Sequence, residues 1–149
     1  MRKRWLGLTM LFLVLGLSVW SYAAHQDKAA TPELKILLAG KKIKINERYS
    51  FQYEFPQKPR LGTAVLKIAL YDTQSELSEQ RSSSLIILGS YDMPSMRGHH
   101  ASPPLPIKTN RLGDYLFPVD LVMRGEWEIV LSFQEDGQEI YSGAVLLKV

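Results

Sequence analysis

Cysteine is absent from the 149-residue chain, which removes disulfides, thiolate nucleophiles and thiolate zinc sites at one stroke. It also removes the acylated cysteine of an N-terminal lipid anchor, so any attachment to a membrane has to come from an apolar segment. Acidic residues are missing from the first 24 positions, where Arg2, Lys3 and Arg4 account for the whole net charge of +3. The rest of the chain is formally neutral and has no basic stripe, which argues against nucleic acid as a partner, because such binding runs on phosphate neutralisation. No Gly-x-Ser-x-Gly, His-Glu-x-x-His, Walker-type or dinucleotide pattern occurs. Without a visible catalytic apparatus, a non-enzymatic role is expected.

What the N-terminus does contain is an export signal. Met1 to Arg4 form a basic region, Trp5 to Trp20 an apolar run, and Ser21-Tyr22-Ala23 a small-x-small site that suits cleavage after Ala23 or Ala24. The apolar run also sits near the lower length limit for spanning a bilayer, so residues 1–24 read as a signal peptide or an uncleaved anchor helix. In both cases residue 25 onward faces the periplasm or the extracytoplasmic side of the cell membrane. Residues 25–33 are polar and Ala-rich and read as a tether. Residues 34–149 are then one domain, long enough to bury a core without disulfides.

Within that domain, alternation dominates. Tyr49, Phe51, Tyr53 and Phe55 share one face while Ser50, Gln52 and Glu54 take the other, a period of two that a half-buried strand satisfies. Trp127, Ile129, Leu131 and Phe133 repeat the pattern, and Glu135-Asp136-Gly137 supplies the hairpin turn after them. Further strands are predicted at 35–39, 42–46, 63–71, 85–91, 105–109, 114–123 and 139–149. Short strands so spaced, with no helical period beyond the export segment, predict an all-β fold: an immunoglobulin-like antiparallel β-sandwich of about seven to nine strands. Two polar stretches, 72–84 and 92–104, are longer than strand connections require, and long loops are where function concentrates.

The second stretch carries the chemistry. It holds Met93, Met96, His99 and His100 within eight residues, although the chain has only 5 Met and 3 His. Thioether sulfur and imidazole nitrogen together suit copper, above all Cu(I), better than hard cations, which want oxygen. Thioethers need no deprotonation and so serve in an oxidising compartment. The competing reading treats Met93 and Met96 as lids on the core and the two histidines as solvated. Met123 shares the face of Tyr115, Phe117, Val119 and Leu121, which makes it core, yet its place at a strand end brings its sulfur near the loop.

From this loop onward the chain resembles the YtkA-like domain family, which also covers FixH-like accessory proteins of cytochrome oxidase assembly. The residues that carry the resemblance are Met93-Pro94-Ser95-Met96 with His99 and His100, then Gly113-Asp114-Tyr115, then Met123-Arg124-Gly125-Glu126-Trp127. They span about the last 60 residues. The resemblance implies an exported immunoglobulin-like sandwich connected with copper handling. This chain departs from the family in lacking the lipid-anchoring cysteine that members often carry and in placing Arg97 inside the loop, where a fixed positive charge opposes a bound cation unless it points to solvent or pairs with Asp92. Two functions are therefore expected: a copper-binding accessory or chaperone-type domain using Met93, Met96, His99, His100 and Met123, or a protein-interaction domain that docks on an envelope or inner-membrane complex without metal. In both, only the N-terminal segment touches the membrane.

Overall fold

The alternation of the sequence becomes two stacked sheets in the computed structural model, which describes residues 34–74 and 81–149. The first sheet runs β1 (Lys35–Ile36), β10 (Gln138–Lys148), β9 (Glu126–Glu135), β5 (Ile86–Asp92) and β6 (Leu105–Pro106). The second runs β2 (Ile43–Lys44), β3 (Tyr49–Glu54), β4 (Gly62–Asp72), β8 (Asp114–Leu121) and β7 (Lys108–Thr109). The expected export segment and tether lie outside the described residues. Among the described residues, no helix is long and apolar enough to cross a membrane.

Each long strand buries alternate side chains, as the period of two requires. Trp127, Ile129, Leu131 and Phe133 from β9 meet Phe51, Leu66, Ile68 and Val119 from the opposite sheet, all of them at 0 % exposure. The core has an aromatic cluster toward each end. Phe51 and Phe133 lie 4.5 Å apart with Tyr141 edge-on to both, while Tyr91 sits 6.1 Å from Phe117 and from Trp127. These are the tilted and edge-on geometries that aromatic quadrupoles favour.

Three tyrosine hydroxyls of the second sheet reach the first. Tyr53 donates to the Leu37 carbonyl at 2.9 Å, Tyr115 to the Leu85 carbonyl at 2.6 Å, and Tyr49 to the Glu135 carboxylate at 3.1 Å. Burial pushes the Tyr115 phenol up to about 12, so it stays a neutral donor.

Two details differ from the sequence expectation. The sandwich has ten strand segments among the described residues, because the single strand expected at 105–109 is divided between the sheets. Its middle residue, Ile107, turns its side chain into the core and gives its amide to the Ile87 carbonyl at 2.8 Å, so the chain changes sheet there. The first sheet is also mixed rather than antiparallel, since β1 pairs with β10 in parallel. The hairpin after β9 follows the expected chemistry: Asp136 and Gly137 both take positive φ, 51° and 79°, as a two-residue turn with matching twist demands.

The pairings set a common end for three connections. Asp92 lies opposite Glu128, and Gly62 lies opposite Leu121. The loop after β5, the turn between β8 and β9 and the loop between β3 and β4 therefore share one end of the sandwich.

Gly89 tests the packing between the sheets. A Cβ there would lie 2.8 Å from the Phe117 ring and 3.0 Å from Ile107, so Gly89→Ala is expected to cost about 1–3 kcal/mol through overpacking. The check is a lower urea midpoint at unchanged slope.

Candidate functional site

The loop after β5 is organised by its first residue. Asp92 accepts the Met93 amide on Oδ1 at 2.7 Å and the Gly98 amide on Oδ2 at 3.0 Å, so one carboxylate spans the loop from start to finish. Those two amides, Gly98 foremost, hold its carboxyl below the usual carboxylate range. Gly98 takes φ of 83°, which L side chains rarely adopt. Between these points Pro94–Met96 makes a single 3-10 turn, continued by hydrogen bonds from the Met96 amide to the Met93 carbonyl and from the His99 amide to the Met96 carbonyl. Beyond His100 the chain is fastened back to β5 twice. The Ser102 amide donates to the Tyr91 carbonyl, and the Tyr91 amide donates to the Ser102 hydroxyl, each at 2.9 Å.

The five expected donors fall into two groups. Met93, His100 and Met123 gather around the start of β9. Met93 is only 2 % exposed, and its methyl occupies the space over Gly125, where a Cβ would lie 2.6 Å from it. The His100 ring is 6.2 Å from the Trp127 ring. Met123 is half-buried against the core, and its carbonyl accepts the Trp127 indole N–H at 3.2 Å. Met96 and His99 instead lie on the exposed flank of the loop, Met96 at 36 % exposure. Met93 thus packs as the core lid that one of its two readings expects.

Arg97 is paired. Its guanidinium donates to the Glu128 carboxylate at 2.7 Å on the outer face of β9, and that contact raises its pKa further. The fixed charge that opposes a cation in this loop is therefore met by a partner one strand away. Among the described residues, no three His, Asp or Glu side chains gather closely enough to hold a metal ion, so a metal here would depend on thioether sulfur.

Three contributors to the site carried weaker sequence signals. Asp92 offers itself in the sequence as a partner for Arg97, although an Asp opening a turn with Gly six residues on is also a readable loop staple. Glu128 looks like one more outward residue of an alternating strand. Trp127 reads as core, which it is; that it also anchors the loop depends on contacts far apart in the chain. Comparison with protein-family models, with curated proteins and with solved structures found no match.

Two outcomes test this geometry. Gly125 has φ of 149° and no room for a Cβ beside Met93, so Gly125→Ala is expected to cost about 1–3 kcal/mol. The Met93 methyl resonance should shift strongly, while signals around Phe133 stay in place. For Asp92 the folded-state pKa is depressed, so its stabilisation is complete above the ordinary carboxylate value of about 3.9 and is lost as pH falls through the lower folded value. The protection of the Gly98 amide relative to its intrinsic exchange rate should accordingly fall below about pH 4 in the native protein. In Asp92→Asn that protection should be low and unchanged across the same range.

Proposed function

We propose that this protein is an extracytoplasmic copper-binding accessory or chaperone-type domain, immunoglobulin-like in topology and allied to the YtkA-like family, that holds Cu(I) at the loop end of its sandwich. The observation that carries the reading is the gathering of Met93, His100 and Met123 around Trp127 and Gly125, with Met96 and His99 on the loop above them. Two or three neutral thioethers and one imidazole form a soft donor set without carboxylates, which suits Cu(I) and disfavours calcium, magnesium or manganese. Met93 and Met123 would supply the inner sulfur, Met96 and one of His99 or His100 the outer donors, and copper would be the cargo. Pairing of Arg97 with Glu128 removes the strongest electrostatic objection.

The topology supports the finer fold reading. β3, β4 and β8 face β5, β9 and β10, with consecutive strands β4 and β5 on opposite sheets, the same distribution as strands A, B and E against C, F and G in an immunoglobulin sandwich. The export signal supports work at the periplasmic or extracytoplasmic face of the cell membrane.

Titration of the protein with Cu(I) against a chelating competitor tests the proposal. Met93→Leu with Met96→Leu removes both sulfurs while nearly keeping core volume, and is expected to weaken Cu(I) binding by at least about tenfold, or 1.4 kcal/mol. Unchanged affinity in that variant defeats the reading.

The second reading, a metal-free docking domain for an envelope or inner-membrane complex, draws on a cleft of about 450 Å³ lined by Pro94, Glu126, Trp127, Glu128, Leu146, Leu147 and Lys148, beside the loop. A partly apolar cleft beside a methionine-bearing loop suits an adaptable protein contact. Partners captured from envelope extracts that persist after copper chelation would favour it.

A further inference from the structure

A second surface at the same end of the sandwich has a composition of its own. On the outer face of the second sheet, Thr63 of β4 lies opposite Asp120 of β8, and its hydroxyl donates to that carboxylate at 2.7 Å. The positions on either side of this pair are apolar. Leu61 and Val122 come next in the chain after the last ladder pair, Gly62 with Leu121, and Val65 lies opposite Pro118. Leu61, Val65 and Val122 are 48 %, 41 % and 62 % exposed, and Pro118 is exposed as well.

Cations flank this strip. Lys58 and Arg60 stand in the loop between β3 and β4, and Arg124 stands in the turn after Val122, all three exposed. Among the described residues none of them forms a salt bridge. Of the carboxylates of this end, Glu54 is neutralised by Lys67 and Glu128 by Arg97. Asp120 and Asp92 keep their charge under hydrogen bonds from the Thr63 hydroxyl and from two amides, so the three unpaired cations leave this end a small positive excess. Glu126 faces Lys148 across the β9–β10 ladder. A cleft of about 390 Å³ opens between the loop and the strip, lined by Lys58 and Arg60 together with Leu61, Val65 and Pro56.

We infer that this face of the domain rests on an anionic phospholipid surface. A basic lip over an apolar wall matches an amphiphile whose phosphate and hydrocarbon lie side by side, and the cleft volume is within the range of small-molecule sites. Long cationic side chains around short apolar tips are the composition of interfacial contact, in which apolar side chains enter the headgroup boundary while Lys and Arg meet anionic lipid. The strip carries no aromatic side chain, and tryptophan and tyrosine are among the commonest anchors of a protein partner. The inference stands independently of copper and adds a second membrane contact to the one expected from the N-terminal segment.

Hydrogen exchange on the full chain with vesicles tests it, because the apolar N-terminal run is common to every sample. With vesicles of phosphatidylcholine containing phosphatidylglycerol, amides of 57–65 and 119–125 are expected to gain protection that added salt removes. With phosphatidylcholine alone they should not. Lys58→Glu with Arg60→Glu changes exposed, unpaired side chains and should lower the anionic-lipid effect by roughly tenfold or more, at about 1 kcal/mol for each basic residue. Protection equal in both lipids, absent from both, or retained in the double variant overturns the proposal. Protection that appears without lipid as protein concentration rises assigns the face to a second copy and overturns it too.

Discussion

The Trp127 indole is the constraint on which the loop end depends. Its side chain has no exposure, and a buried N–H without an acceptor costs on the order of 1–3 kcal/mol. Its acceptor is the carbonyl of Met123, four residues earlier, so burying the ring also fixes the path of the turn between β8 and β9. That turn carries Gly125, whose missing side chain admits the Met93 methyl and whose amide and carbonyl both pair with Val149. The outward edge of the same ring meets His100. Core packing and loop geometry are consequently one problem here, and a disturbance at Trp127 reaches Met93, His100 and Met123 together.

The other end of the sandwich is held differently. Tyr49 bonds Glu135 near the closing hairpin, and Tyr115 reaches Leu85 where β5 begins. Near that end Asp114 is buried, pairs with Arg81 and takes a longer contact from Asn110, while the Asn110 side chain caps the turn before β8. The two tyrosine bonds cross between the sheets in a domain without disulfides, while the Asp114 contacts tie the second sheet to its own flanking segments; partnered in this way, buried polar groups stabilise rather than cost. The loop end relies more on apolar contact and on a carboxylate that binds only its own loop. Such regions open more easily than hydrogen-bonded cores, which is consistent with the ligand role proposed for it.

How far the sequence discloses this arrangement depends on whether the signal is local. Alternation is local, and it located the long strands to within a residue or two, because one apolar face at period two has few other solutions. Strand pairing is not local. Nothing around Ile107 announces that its neighbours join different sheets, and Lys35–Ile36 gives no sign that its partner runs parallel. The candidate site divides in the same way. The concentration of Met and His in one loop is plain from composition, whereas the seating of Met93 on Gly125 and the pairing of Arg97 with Glu128 require residues some thirty positions apart to meet. Residue types identify donors; only packing decides which of them lie above the core and which within it.

Charge ties the two proposed surfaces together. Beyond the N-terminal segment the chain is formally neutral, yet at the loop end Glu54 and Glu128 are ion-paired. The unpaired Lys58, Arg60 and Arg124 outnumber the ionised Asp92 and Asp120, which gives this end a small positive excess. A donor set of thioether and imidazole adds no negative charge of its own, so a Cu(I) ion held there would add a further positive charge to the same end. Screening confines its influence to about 8 Å at physiological ionic strength, so the benefit would fall mainly on the Arg124 side, next in sequence to Met123. Any gain in anionic-lipid binding on loading must, by linkage, equal the gain in copper affinity at the lipid surface. On the two proposals together, the ion would be held more tightly at the membrane than away from it, which favours a domain that keeps its cargo beside the bilayer over one that carries it through bulk solution.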